Sequence, residues 1–296
     1  MWEWNRLRAL DALSRTGSVR EAATLLGMSG PAVSQQLRRL EAEAGVKVVE
    51  PCGRGIRLTS EGEVLARYAG RVAALMQEAD NAVHARDPLA GVVRIGAVAS
   101  AVRTVLTTEL ADLRAAHPGV DVFVEDGEAV DHVRRLAEGH LDLVIAESWS
   151  PTPVRLPAGL TYRRLAREEA YIALPAGHPG HTRAEVDLRD LEGASWATCP
   201  AGSDPHVALT QIAHSRGVDV DVRFHVADHV TQIELVRAGL AVACVPASAR
   251  RYASDDVTFL PLAEPLWREL VLATNRRGSS RAVLHLADRL ARLGGD

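Results

Sequence analysis

The sequence predicts an α/β multidomain chain in three parts: short helices with a pair of short strands, then one long helix, then two α/β subdomains. Three observations predict it. Capping residues and glycines frame two short amphipathic segments near the N-terminus. A narrow apolar seam then runs up to a Pro/Gly break, DPLAG, at residues 87–91. Beyond that break, β-type and α-type runs alternate to the end of the chain.

Trp4, Leu7, Leu10 and Leu13 fit a first helix that ends at Gly17. Ser18 and Glu21 form an S-x-x-E capping box, so a second helix begins after Ser18 with Ala22, Leu25 and Leu26 on one face. Gly27 ends it. Ser29 can cap a third helix with Pro31 in its first turn. Val33, Leu37 and Leu40 give that helix its apolar stripe, and Gly45 stops it. Two short helices around a tight glycine turn are the sequence form of a helix-turn-helix, a form that an ordinary helical hairpin shares. Residues 46–49 and 56–58 read as strands around a turn at 51–55, which makes residues 1–58 a winged helix-turn-helix. Its base-reading side would hold Ser29, Gly30, Pro31, Ser34, Gln35 and Arg38, since glutamine pairs with adenine and arginine with guanine or phosphate. Arg54 and Arg57 on the wing would reach phosphates or a minor groove.

Thr59 can cap a long helix that runs to about residue 86. Leu65, Tyr68, Val72, Leu75, Ala79 and Ala82 step by three and four along it. Such a narrow seam suits a two-helix coiled coil better than a surface helix packed on its own domain. Residues 59–90 therefore read as a linker and dimerisation helix, with a hinge at 87–91.

Strands at 92–97, 120–125 and 141–146, with helices at 102–116 and 130–138, read as βαβαβ with a parallel sheet. A second set has strands at 171–174, 195–198, 221–226 and 241–245, and helices at 205–216 and 230–238. Strands at 258–260 and 270–273 and a helix at 280–293 close the chain. Two α/β subdomains joined by two crossing strands make residues 91–296 a periplasmic-binding-protein-like module. Subdomain I takes about 91–160 and 265–296, and subdomain II about 161–264.

Ligands of such sheets sit at strand carboxyl ends, near helix N-termini. Four places qualify. At Ser100-Ala101, a hydroxyl and the free amides of Ala101 and Val102 would seat an anion, unless Ser100 is only a helix cap. Glu147-Ser148 marks the first crossover. Ser203 lies in a loop at 200–204 that enters a helix, and Asp228, His229 and Thr231 precede the next helix. Glu147, Asp204 and Asp228 bring more acid than a carboxylate-binding site wants. Asp204 and Asp228 read as caps that point away, whereas an inward Glu147 would call for a ligand with a donor or a cation.

A length of 296 residues suits two or three domains. The net charge is −4, but residues 1–58 hold nine basic and six acidic side chains, a net of +3, which leaves −7 for the remainder. That asymmetry suits one nucleic-acid-binding end. No apolar run approaches the ~20 residues of a membrane span. There is no signal-peptide core, and Cys52, Cys199 and Cys244 have no disulfide or zinc spacing, so a cytoplasmic location without a membrane partner is expected. G-x-S-x-G, G-x-G-x-x-G, P-loop and H-E-x-x-H motifs are absent, so neither an enzyme nor a cofactor is expected. His178 and His181 lack further ligands for a metal. Cys199 reads first as a small buried hydrophobe, and otherwise as a redox-sensing thiol that reaches sulfenic acid.

Ser18, Ala22-Ala23, Leu25, Ser29, Pro31-Ala32-Val33-Ser34-Gln35, Leu40-Glu41, Gly45, Arg57-Leu58-Thr59 and Gly62 together resemble the N-terminal domain of LysR-type transcriptional regulators. Val48-Val49 and Pro51 depart from that family, which usually has Leu-Phe and then an arginine. Arg94-Ile95-Gly96, His117-Pro118, Leu141-Asp142-Leu143, His178-Pro179, Asp190-Leu191, Gly239-Leu240 and Val245-Pro246 resemble the family's effector domain, collinearly. The resemblance implies a ligand-responsive regulator, not an enzyme. Its implied partners are double-stranded DNA, a small-molecule effector, a second copy of the chain in a homodimer and then a dimer of dimers, and RNA polymerase. A different class of reading is a small-molecule-binding protein whose N-terminal hairpin binds another protein.

Overall fold

A computed structural model describes the chain except for residues 1, 54, 85–88, 152–156, 276–278, 295 and 296, and the side chains of 74, 77, 78, 80–84 and 181. The chain forms two compact units, one built on Met1–Gly91 and one on Val92–Ala137 and Leu141–Asp296.

The first unit starts with α1 (Trp4–Thr16), α2 (Val19–Leu26) and α3 (Gly30–Ala44). Local chemistry sets their ends. Ser18 Oγ accepts from the Glu21 amide at 3.1 Å, and Ser29 Oγ from the Ala32 amide at 3.4 Å. Gly27 takes φ 64° in the turn between α2 and α3, a left-handed conformation that a side chain would strain. Leu10, Leu13, Ala22, Val33, Leu37 and Leu40 pack into one core. The wing is a two-stranded antiparallel sheet of β1 (Val49–Cys52) and β2 (Gly55–Leu58). The expected first strand is thus displaced towards the C-terminus, and Pro51 lies inside it opposite Ile56, not in the turn. A strand with only one partner leaves its other edge free, where a missing N–H breaks no ladder bond.

Thr59 caps α4 (Ser60–His84), accepting from the Gly62 amide at 3.0 Å. Gly62 sits against the Val48 carbonyl so closely that a Cβ there would overlap it. The seam along α4 is divided. Leu65, 7% exposed, and Ala66 belong to the helix-turn-helix core, so Leu65 is not a seam residue. The exposed apolar stripe is Tyr68 at 54%, Val72 at 39% and Leu75 at 59%. The side chain of Ala82 and residues 87 and 88 of the expected hinge at 87–91 lie outside the described residues.

The second unit contains β3 (Gly91–Ala97), α5 (Ala99–Ala101), α6 (Thr107–Ala116), β4 (Val120–Asp126), α7 (Ala129–Ala137), β5 (Leu143–Trp149) and β6 (Leu160–Pro175). It continues with β7 (Ser195–Thr198), α8 (Asp204–Ser215), β8 (Asp221–His225), α9 (His229–Arg237), β9 (Val242–Pro246), β10 (Val257–Pro261), β11 (Trp267–Asn275) and α10 (Arg281–Leu293). A π-helical turn over Val102–Leu106 joins α5 to α6. The strands run in the order β4-β3-β5-β11-β6-β9-β7-β8, with β10 also on β6. The β3–β5 pair is parallel, as are β7–β8 and β7–β9, which fits crossover connections through helices.

The 16-residue β6 ties the sheet halves together. Leu160–Glu169 pair with β11, and from Ala170 onward the strand pairs with β9 and β10. The change of sheet therefore falls near Ala170, later than the 160/161 boundary expected. The stretch TYRRLAREE is mostly exposed and has no clean apolar alternation, so its strand character is invisible to periodicity.

Candidate DNA interface and effector crevice

On α3, Val33, Leu37 and Leu40 turn inward, which leaves Pro31, Gln35 and Arg38 exposed on the other side. Ser34 is half-buried, and its carbonyl accepts from Arg38 Nε at 3.4 Å, so the arginine lies back along its own helix. Ser29 is occupied by its capping bond. Arg57 pairs with Glu50 at 2.7 Å across the wing and is 67% exposed, so a phosphate would have to compete with that carboxylate. Arg54 lies outside the described residues.

One buried group escaped the sequence reading. Glu41, near the end of α3, accepts from Lys47 Nζ at 2.8 Å and from the amides of Val48 and Val49 at 3.1 and 3.4 Å. It thereby fixes where the wing leaves the recognition helix. Burial would raise its pKa, but Lys47 and the two amides outweigh burial and hold the carboxyl below its usual range.

In the second unit, the organising residue is Arg268 on β11, wholly buried. Its guanidinium donates to Glu147 and to Glu168, each at 2.8 Å, and to the Ser100 hydroxyl. Glu168 also accepts from the Ser248 amide at 2.7 Å and hydroxyl at 3.1 Å. Burying a guanidinium is costly unless it is paired and bonded in this way. Glu147 thus points inward.

Ser100 is not a helix cap. Helix α5 begins at Ala99, one turn earlier than expected, and Val98 stands at its N-cap position. The amides of Ala101 and Val102 already donate to the Val98 carbonyl at 2.9 and 3.2 Å. The expected anion seat is therefore absent, and Ala101 is a buried apolar contact. Ser148 is also buried but lies on the opposite face of β5 from Glu147.

The subdomain II side of the crevice is brought close. His229 is buried, with its ring 6.3 Å from that of Trp149 and Nδ1 3.4 Å from Gln232 Oε1. Burial lowers its pKa, which favours the neutral imidazole. Asp228 makes no side-chain cap on α9; it pairs with Arg103, which also lies over the Tyr252 ring at 5.6 Å. Thr231 is exposed and donates to Asp228 at 3.4 Å. Ser203 is buried without capping α8, and its hydroxyl has no partner among the described residues. A separate recess bounded by Ser150, Thr210, His214, Val218, Glu264 and Leu266 shares no residue with the Arg268 cluster.

Cys199 is buried, and burial pushes its thiol well above the usual range, with the Glu147 charge adding to the effect. It donates to the Ala227 carbonyl at 3.5 Å and accepts from Gln232 Nε2 at 3.4 Å. Cys244 is pushed up to about 12 by burial. A reactive thiol needs a depressed pKa and access, and neither cysteine has them.

Residues 4–63 match the bacterial regulatory helix-turn-helix protein, lysR family, and residues 86–294 match the LysR substrate binding domain. The chain belongs to the LysR family of transcriptional regulators. That family is not one of enzymes. The small neutral protease regulatory protein of Streptomyces coelicolor is 34% identical over 279 residues, covering 92% of this chain and 86% of that one. A probable hydrogen peroxide-inducible genes activator of Mycobacterium avium is 30% identical over 248 residues, covering 82% and 77%. Among solved structures, a full-length OxyR variant from Pseudomonas aeruginosa superposes with a TM-score of 0.75 at 22% identity, covering 99% of both chains. CbnR in complex with its target DNA gives 0.54 at 21% identity, again covering 99% of both. Both structures share the LysR fold: a winged helix-turn-helix followed by an α/β substrate-binding domain. No described helix is long and apolar enough to cross a membrane.

Proposed function

We propose that this LysR-family DNA-binding regulator reads promoter DNA as a homo-oligomer and alters transcription when a small molecule enters the crevice around Arg268. The observation that carries the reading is a pair of surfaces of opposite character in one chain. Gln35 and Arg38 stand exposed on a helix whose other face is locked into a core. Ser100, Glu147 and Arg268 come from distant segments into one bonded polar cluster, and His229 is buried against Trp149. The stripe Tyr68, Val72 and Leu75 on α4 suits a coiled-coil partner, which supports a dimer. A dimer of dimers, contact with RNA polymerase and a cytoplasmic setting go with the family reading. The buried, high-pKa Cys199 speaks against redox sensing.

Gel-shift titration of the chain's own upstream DNA tests the DNA side. Gln35→Ala and Arg38→Ala should each cost about 1–3 kcal/mol of affinity while circular dichroism stays unchanged. Unaltered affinity in both variants would remove the recognition-face assignment. The effector side is tested by footprinting with a metabolite panel on the wild type and Ser100→Ala. The variant should bind DNA normally and lose most of the ligand response. A full response would show that Ser100 merely steadies Arg268.

A further inference from the structure

A further contact ties the two subdomains together outside the Arg268 cluster. Arg103, on subdomain I, gives an N–H to Asp228 of subdomain II. Its guanidinium also lies 5.6 Å from the centroid of the Tyr252 ring, again on subdomain II. Asp228 in turn accepts from the Thr231 hydroxyl at 3.4 Å.

The topology gives this contact leverage. β6 is the strand that both halves share. Arg103 follows β3, three places from β6 in the strand order, and Asp228 follows β8, three places away on the other side. Neighbouring strands lie about 4.8 Å apart, so three places are about 14 Å. A link made that far from the shared strand resists a turn of one half against the other, whereas a contact beside β6 resists it little.

The chemistry makes the contact reversible. The side chains of Arg103 and Asp228 are each 31% exposed, against 0% for Arg268. Water reaches the pair and can take over its hydrogen bond. Arg268 is held by Glu147, Glu168 and Ser100, but Arg103 Nε has no partner among the described residues. An ion pair so exposed and so sparsely bonded is weak, and thermal motion opens it often. Arg103 also stands in the π-helical turn Val102–Leu106, a kind of distortion common at functional sites. Ser100, three residues earlier, is bonded to Arg268, so the exposed pair and the buried cluster are one helical turn apart.

We propose that Arg103 is a clasp between the subdomains: seated on Asp228 and Tyr252 it holds the crevice closed, and its release lets the walls after β3 and β8 part for a ligand. The entry of a ligand rests on the effector reading; the clasp itself does not. A weak clasp suits a switch, because a small bias then moves the balance between two states.

The test is hydrogen–deuterium exchange on the full chain with no ligand added, read in peptides spanning residues 98–107 and 226–236. Arg103→Gln should speed exchange about three- to tenfold in both peptides, including the one that carries no substitution. Asp228→Asn should do the same from the other side. The charge-swapped double variant Arg103→Asp/Asp228→Arg should recover most of the protection, and Tyr252→Leu should loosen residues 98–107 by a smaller factor. Faster exchange confined to the substituted segment would overturn the proposal, as would a swapped pair no better protected than the single variants. Because the exchange needs no ligand, its failure leaves the effector reading to the Ser100→Ala footprint. A metabolite panel with no active member would in turn sink the effector reading and leave the clasp standing.

Discussion

The recognition helix and the crevice place their polar groups in opposite ways. On α3, Gln35 and Arg38 are exposed, and Arg38 Nε donates to Ser34 of its own helix. Around Arg268 every strong contact is long-range: Glu147 lies 121 residues away in sequence, Glu168 100 and Ser100 168. A surface built to read a rigid duplex needs only a scaffold and free side chains, because the partner supplies the complementary charges. On the proposed reading, the crevice holds its charges against one another inside the protein, so that a ligand entering it would alter their arrangement.

The largest effect should come from breaking the buried side of this contrast. Arg268→Ala leaves Glu147 and Glu168 without their cation and should cost about 3–5 kcal/mol in urea unfolding followed by circular dichroism. A loss well below that would mean that the crevice tolerates uncompensated acid. The next effect separates the two faces of α4. Leu65→Glu should disrupt the helix-turn-helix core, since it puts a carboxylate where no partner exists. Leu75→Glu should leave melting within about 0.5 kcal/mol and instead shift light scattering towards smaller species. If Leu75→Glu leaves the oligomer intact, the exposed stripe serves another purpose.

The smallest effect is a pH signature of opposite sign in the two regions. The folded-state pKa of Glu41 is depressed, so its stabilisation is present above the unfolded carboxylate pKa and is lost as pH falls through the folded value. Glu128 and Asp204 have raised pKa values, so their penalty is absent at low pH and appears as pH rises through them. Glu41→Gln should therefore flatten the acid loss of stability. The Glu128→Gln/Asp204→Asn pair should instead stabilise the protein at neutral pH. Parallel pH profiles for both variants would dissolve the contrast.

Sequence alone determined the elements whose causes lie within one or two helical turns. Ser18, Gly27, Ser29 and Gly45 each act on neighbours three or four residues away, so the helix-turn-helix and its exposed face were legible, as was most of the later α/β alternation. Where the free edge of the wing admits Pro51, where α5 begins, and which side of α4 Leu65 serves were decided by packing. Asp204 and Asp228 read as simple caps, yet neither helix end carries a side-chain cap bond. Arg268 carried no signal at all. It sits as one arginine among many in a strand, and only the pairing of β11 with both β5 and β6 brings Glu147 and Glu168 to it. A charge becomes a buried ion cluster through partners a hundred residues away, and no local periodicity records which strands will lie side by side.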